Sequence, residues 1–100
     1  MMEVTAAQKQ DLDQLSTWCE DVPEFQKNLT QYFDRNDTTI LMMKDEQQIT
    51  GIALLKVKET LKSGTVWLHL KEEGNQNHDL LMQKSLKWLR QKGAKEYHLI

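Results

Sequence analysis

The sequence predicts an α+β domain: a mostly antiparallel sheet of about five strands with helices on both faces, in the order β-α-α-β-β-β-α-β. Three observations predict it. Between Thr38 and Leu70 the apolar residues run together or alternate, as strands require. Three other stretches carry apolar residues three and four apart, the spacing of a helix face. The chain then closes on strand, helix and strand, a unit that needs a right-handed crossover and so a parallel pair.

The segment from Met2 to Ala6 (MEVTA) is short and β-prone and makes the first strand. From Gln8 to Glu20 a helix is predicted, with Leu12, Leu15, Trp18, Cys19 and Val22 forming its stripe. Pro23 suits the first turn of a second helix, capped from Asp21 or Val22. Its stripe is Phe25, Leu29, Tyr32 and Phe33, and Asn36-Asp37 ends it. A hairpin follows, with arms from Thr38 to Lys44 and from Ile49 to Thr60 and a polar turn from Asp45 to Gln48. Gly51 inside the second arm marks a bulge or a close backbone approach.

After a turn from Leu61 to Gly64, TVWLHL (Thr65 to Leu70) alternates. Val66, Leu68 and Leu70 share one face, and Thr65, Trp67 and His69 the other. Bulk on both faces predicts a central strand. A polar loop from Glu72 leads to a third helix from Asp79 to Lys92, with Asp79 as a carboxylate cap. Its buried face is Leu81, Met82, Ser85, Leu86, Trp88 and Leu89, while Lys84, Lys87 and Gln91 face water. Gly93 is placed to cap its C-terminus, and KEYHLI (Lys95 to Ile100) is the last strand.

Bulk properties narrow the function. At 100 residues the chain predicts one domain. A net charge of -2 and a pI of about 5.9 argue against general nucleic-acid binding. No apolar run approaches the ~20 residues of a membrane span. The N-terminal MMEVTAAQKQ lacks the apolar core of a signal peptide, and Cys19 is the single cysteine, so a reducing, cytoplasmic setting is expected. His69, His78 and His98 are spaced like no metal-ligand set, and no metal site is predicted. Cys19 lies on an apolar stripe, as a packing residue does. Lys84, Lys87, Arg90, Lys92 and Lys95 complement the dipole at the end of the third helix.

The order and its details resemble the GNAT superfamily of acyl-CoA-dependent N-acyltransferases. EVTAAQKQDLDQL (Glu3 to Leu15) is similar to that family's opening strand and helix. ILMMKDEQQITGIALLKVKE (Ile40 to Glu59) is similar to its central hairpin. VWLHL and LLMQKSLKWLRQKGAKEYHLI, between Val66 and Ile100, are similar to the strand-helix-strand unit that holds the cofactor. The resemblance implies acetyl-CoA as donor to an amine, with the cofactor along Leu68 and Leu70 and at a loop comprising Gly74, Asn75, Gln76, Asn77, His78 and Asp79. In the family, a Gln/Arg-x-x-Gly-x-Gly/Ala loop wraps the CoA pyrophosphate with backbone N–H groups at a helix N-terminus.

Aligned back from Trp88, that hexad falls on Glu73-Gly74-Asn75-Gln76-Asn77-His78. Gln76 and His78 stand at the two glycine positions, where side chains hinder close approach of phosphate. A glutamate such as Glu72 or Glu73 about 4 Å from a phosphate costs roughly 1–4 kcal/mol. Asn75 and Asn77 tolerate left-handed turns, and a protonated His78 favours an anion. The loop is therefore a degenerate version of the family's.

The family's fourth strand often carries a glutamate base. TVWLHL has none, and His69 reads as a packed histidine rather than a base. The resemblance further implies a single domain over residues 1–100 without the family's later helix and strands, which often supply a tyrosine acid. No catalytic residue is assigned. The expected function is an N-acetyltransferase-like protein whose activity is impaired or depends on a partner chain. The alternative is a non-catalytic module acting through protein–protein contact or acyl-CoA sensing. A last strand from Lys95 to Ile100 at an exposed edge predicts pairing with a second copy or a partner protein.

Overall fold

The computed structural model of the protein describes residues 2–33, 35–71 and 75–100, and of Asn75 the backbone alone. The sheet has five strands: β1 (Met2–Ala6), β2 (Thr38–Asp45), β3 (Gln48–Lys58), β4 (Ser63–Leu70) and β5 (Glu96–Leu99). They lie in chain order across it. Every neighbouring pair is antiparallel except β4 and β5, which run parallel as the crossover requires.

Two helices, α1 (Leu12–Trp18) and α2 (Pro23–Gln26), cover one face. The third, α3 (Asn75–Gln91), covers the other. The alternation of side chains along the strands divides the core accordingly. Ile40, Met42, Ile52 and Leu54 meet Leu15, Phe25 and Leu29 on the α1–α2 face. Leu41, Met43, Leu55 and Val66 meet Leu81 and Leu89 on the α3 face. Adjacent Met42 and Met43 thus belong to opposite faces.

The hairpin between β2 and β3 closes with Asp45 opposite Gln48. Its two loop residues, Glu46 and Gln47, have φ of 50° and 71°, the paired left-handed geometry that suits strand twist. Between Met43 and Lys44 the register shifts, leaving Thr50 as the extra residue of a bulge. Its hydroxyl donates to the Met43 carbonyl at 3.3 Å. The Cβ of any residue replacing Gly51 would lie 3.1 Å from Leu70 Cγ and Met43 Cε and 3.2 Å from Leu81 Cδ2. Both predictions for Gly51 hold: a bulge beside it and a close approach above it.

Three helix boundaries differ from those the sequence predicts. The first helix is shorter, with a 3-10 turn over Lys9–Asp11 before α1; the Gln8 N–H donates to Asp11 Oδ2 at 2.8 Å. The second stops after four residues and continues as tight turns, among them a 3-10 turn over Thr30–Tyr32. Asn28 explains the change. Its side-chain amide donates to the Glu24 carbonyl at 2.7 Å, the acceptor its own backbone N–H would use in an α-helix. That N–H goes to Phe25 instead, at 3.1 Å, and Leu29, Tyr32 and Phe33 repeat the three-residue step. The apolar stripe survives, because spacings of three satisfy either helix.

The third helix starts at Asn75, not Asp79. Gln76, Asn77 and His78 are helical, and Asp79 is the fifth helical residue, past the cap position. Packing of Leu81, Ser85 and Leu89 on the sheet carries the helix back through residues of weak propensity. Ser85 is buried but satisfied, donating to the Leu81 carbonyl at 2.7 Å. At the far end Gly93 has φ of 95°, with Ala94 N–H bonded to Leu89 and Gly93 N–H to Arg90, both at 3.0 Å. This is the double bond of a Schellman cap.

Candidate functional site

The site is built from the second half of β4 and the start of α3. Over Ser63–Val66, β4 pairs with β3 on one side and β5 on the other. The register with β5 ends at Val66 opposite Leu99, and the Ile100 N–H then donates to the Val66 carbonyl at 2.9 Å. Alternate residues of a strand send both backbone groups to the same side. Leu68 and Leu70 therefore turn their N–H and C=O to the same side as β5, beyond its paired residues, where among the described residues no strand pairs with them. Trp67 and His69 turn theirs to β3.

The helix N-terminus supplies the second feature. The first four N–H groups of α3, on Asn75, Gln76, Asn77 and His78, have no acceptor within the helix. The first turn holds no acidic residue, so no carboxylate there offsets the positive end of the dipole. Asp79 follows it, 80% exposed, with Oδ1 at 3.7 Å from His78 Nδ1. Gln76 and His78 are exposed and Asn77 half-buried. Of the residues singled out from sequence, Leu68 and Leu70 have backbone groups that no strand among the described residues pairs with, and Asn75, Gln76, Asn77 and His78 have N–H groups without an acceptor inside the helix. The Asp79 N–H is used within the helix, which removes its predicted role as cap. Glu72, Glu73 and Gly74 lie outside the described residues, and with them the predicted charge of Glu72 and Glu73 and the predicted cofactor contact of Gly74.

The opposite face of the same strand end is aromatic. His69 lies edge-on to Trp18 with ring centres 5.2 Å apart, and 5.6 Å from Phe25. Phe25 in turn meets Trp67 edge-on at 5.2 Å. The Lys71 ammonium sits 4.8 Å above the Trp18 ring. His69 is thus a packed histidine, as its sequence context predicts. Its Nε2 is buried and meets no hydrogen-bonding group among the described residues.

Nearby Cys19 is fully buried, and its Sγ donates to the Leu15 carbonyl at 3.2 Å. Burial pushes its thiol pKa up, and Asp21 adds to the rise, while the backbone of Cys19 itself and Lys71 oppose it. A thiol kept protonated and inaccessible is a packing group.

A groove of about 650 Å³ opens beside this cluster. Asp13, Gln14, Thr17 and Trp18 of α1 form one wall, and Gln47, Gln48 and Ile49 the other. It lies on the α1–α2 face at the sheet end where Leu70 faces Gly51, so Trp18 joins it to His69. Sequence reasoning missed Asp13, Gln14 and Thr17, which lie on the outer side of α1; their polarity reads as simple exposure until β3 is placed opposite them. Among the described residues no cluster of metal-ligating side chains occurs. No described helix is long and apolar enough to cross a membrane.

No protein-family model and no curated protein sequence matches the chain. Solved structures do. The aminoglycoside N-acetyltransferase AAC(6')-Iy, in complex with CoA, superposes with a TM-score of 0.82 at 9% identity, over 100% of this chain and 76% of that one. A predicted acetyltransferase from Clostridium acetobutylicum, with acetyl-CoA, gives 0.75 at 14% identity over 100% and 80%. A GNAT family acetyltransferase from Staphylococcus aureus gives 0.66 at 14% over 99% and 85%.

The fold is that of the GNAT acetyltransferases. At such identities the likeness concerns the backbone path, and what a GNAT fold does in a given chain depends on its site. In this GNAT fold the described pairing of β4 with β5 extends to Val66, and the second half of β4 and the N-terminus of α3 lie at the same end of the strand.

Proposed function

We propose that the chain is an N-acetyltransferase-like protein that takes up acetyl-CoA along the open side of β4. One observation carries this reading: among the described residues no strand pairs with the outer side of Leu68 and Leu70, close to a helix whose first turn holds no acidic residue. An extended amide chain bonds to such a strand as another strand would. A pyrophosphate suits the N–H groups of Asn75, Gln76, Asn77 and His78. Both halves of the cofactor therefore have candidate partners, and the N–H groups of a helix start do not need the positive φ of glycine. When bound, acetyl-CoA supplies an acetyl group activated as a thioester.

The chain's own residues contribute orientation more than proton transfer. Leu68 and Leu70 also pack their side chains against the α3 face, which holds the strand rigid. On the other face, the groove with Asp13 attracts a cationic amine, and Trp18 gives its apolar part a surface. No carboxylate stands on β4, and the His69 ring is wedged between aromatics. Attack then depends on the amine losing its proton to water, so slow transfer is expected. Sensing of acyl-CoA without turnover is the limiting case of the same site.

The test is an acetyl-CoA titration followed by amide NMR. Saturable shifts at Leu68, Leu70 and residues 75–81 at micromolar ligand support the reading, and a panel of amines then measures transfer. Unmoved amides at millimolar ligand overturn both the transferase and the sensor.

A further inference from the structure

The edge strand β5 is exposed on both faces. All four of its residues are exposed, and Tyr97, Leu99 and Ile100 show 45%, 63% and 64% of their surface to solvent. The other edge, β1, differs: Met2 and Val4 pack against the core on the α3 face. The third helix does not shelter β5, because it lies chiefly over β3, with lesser contact to β2 and β4. The Ile100 N–H bonds to Val66, so even-numbered residues of this strand point their backbone groups at β4. Tyr97 and Leu99 consequently point theirs outward. Apolar side chains beside unpaired ladder groups make a template for another strand.

The charges along this strand specify which strand fits. We propose that β5 pairs antiparallel with β5 of a second copy of this chain, with Tyr97 opposite Tyr97 across a two-fold axis. In that register Glu96 of each copy faces His98 of the other, twice, on the α1–α2 face. The two tyrosines meet on the α3 face, and the Lys95 stem lies along Leu99 of the second copy. Outward groups sit on alternate residues, so the register can shift only in steps of two. One step opposes Glu96 to Glu96, and the opposite step His98 to His98; neither gains the complementary pairs. The contact is isologous and uses up the edge, so it ends at a dimer instead of a fibre. It requires no cofactor, and its test is separate from that of acetyl-CoA binding.

Single cysteines read the register directly, with buried Cys19 left in place as a silent thiol. Facing positions in an antiparallel pair lie about 4.5–5.5 Å apart at Cα, within disulfide reach. Under mild oxidation Tyr97→Cys is expected to cross-link to itself. Glu96→Cys and His98→Cys are expected to cross-link only when mixed. Either of them cross-linking alone overturns the register. Tyr97→Pro removes an outward N–H and spares the β4 ladder, so it should raise the dimer dissociation constant at least ten-fold with an unchanged circular dichroism spectrum. An unchanged constant overturns the proposal, as does a wild-type chain that sediments as a monomer at millimolar concentration.

Discussion

The two halves of β4 differ both in composition, small from Ser63 to Val66 and bulky from Trp67 to Leu70, and in surroundings. From Ser63 to Val66 the strand is paired on both sides and pressed by α3. There a Cβ at Gly64 would sit 2.6 Å from Leu89 Cδ2, so the helix rests almost on the backbone. From Trp67 to Leu70 the strand is paired only with β3, and its side chains are half-buried. The first half holds the fold, and the second leaves hydrogen-bonding capacity unspent. The difference teaches that unpaired strand groups need not belong to a sheet's outer strand: β4 is longer than its parallel neighbour β5 and keeps some inside the sheet.

The largest effect is expected in the closed half. Leu89→Ala deletes a buried side chain over Gly64 and should cost about 2–5 kcal/mol in urea unfolding. Acetyl-CoA affinity of the folded fraction should stay the same; a parallel loss would merge the two halves into one unit. In the open half, Leu68→Pro removes an outward N–H without touching the ladder to β3. Calorimetry should show affinity falling about ten-fold or more, or ~1.4 kcal/mol. Leu68→Ala, which loses the side chain and keeps the N–H, separates packing from pairing: equal losses in both variants would break the comparison.

The aromatic face of the open half gives a smaller effect. His69→Phe replaces a buried, unpartnered ring nitrogen by carbon in an edge-on aromatic cluster. Unfolding free energy should be unchanged or raised by about 1 kcal/mol. A clear loss would mean that Nε2 is engaged, and loss of transfer at constant affinity would give the imidazole a chemical role. The smallest effect concerns Cys19. Its thiol ionises near 9.0 in the unfolded chain and later in the folded one, because burial resists the charge. The unfolded chain therefore sheds the proton first. Stability is intact below pH 9 and declines as pH rises towards the folded value. Cys19→Ala should flatten that decline in a pH series of melting temperatures.

Much of this arrangement was legible in residues alone, and the failures have physical causes. The five strands follow from the apolar runs and alternation that a sheet covered on both faces requires, and Gly93 announced its cap because φ of 95° suits little else. The stripe at Phe25, Leu29, Tyr32 and Phe33 revealed the buried face but not the helix type, since Asn28 competes for a backbone carbonyl. The start of α3 was placed late because Asn75, Gln76, Asn77 and His78 have weak preferences, and contact of Leu81 with the sheet decides for them. That error assigned Asp79 a capping role and made the loop read as poorer in available N–H groups than the helix start proves to be.

By itself the sequence determined which residues face which side, because periods of two and about 3.6 are properties of local backbone geometry. It determined the strand order, the parallel final pair and the two helical layers. Only the tertiary structure decided which residues of β4 and β5 pair, where the register of β2 and β3 shifts, and that α1 meets the β2–β3 turn across a groove. Those depend on register and on the direction of backbone hydrogen bonds. Neither is written in a side-chain pattern, because a strand's N–H and C=O groups lie in the sheet plane, at right angles to the side chains that reveal it.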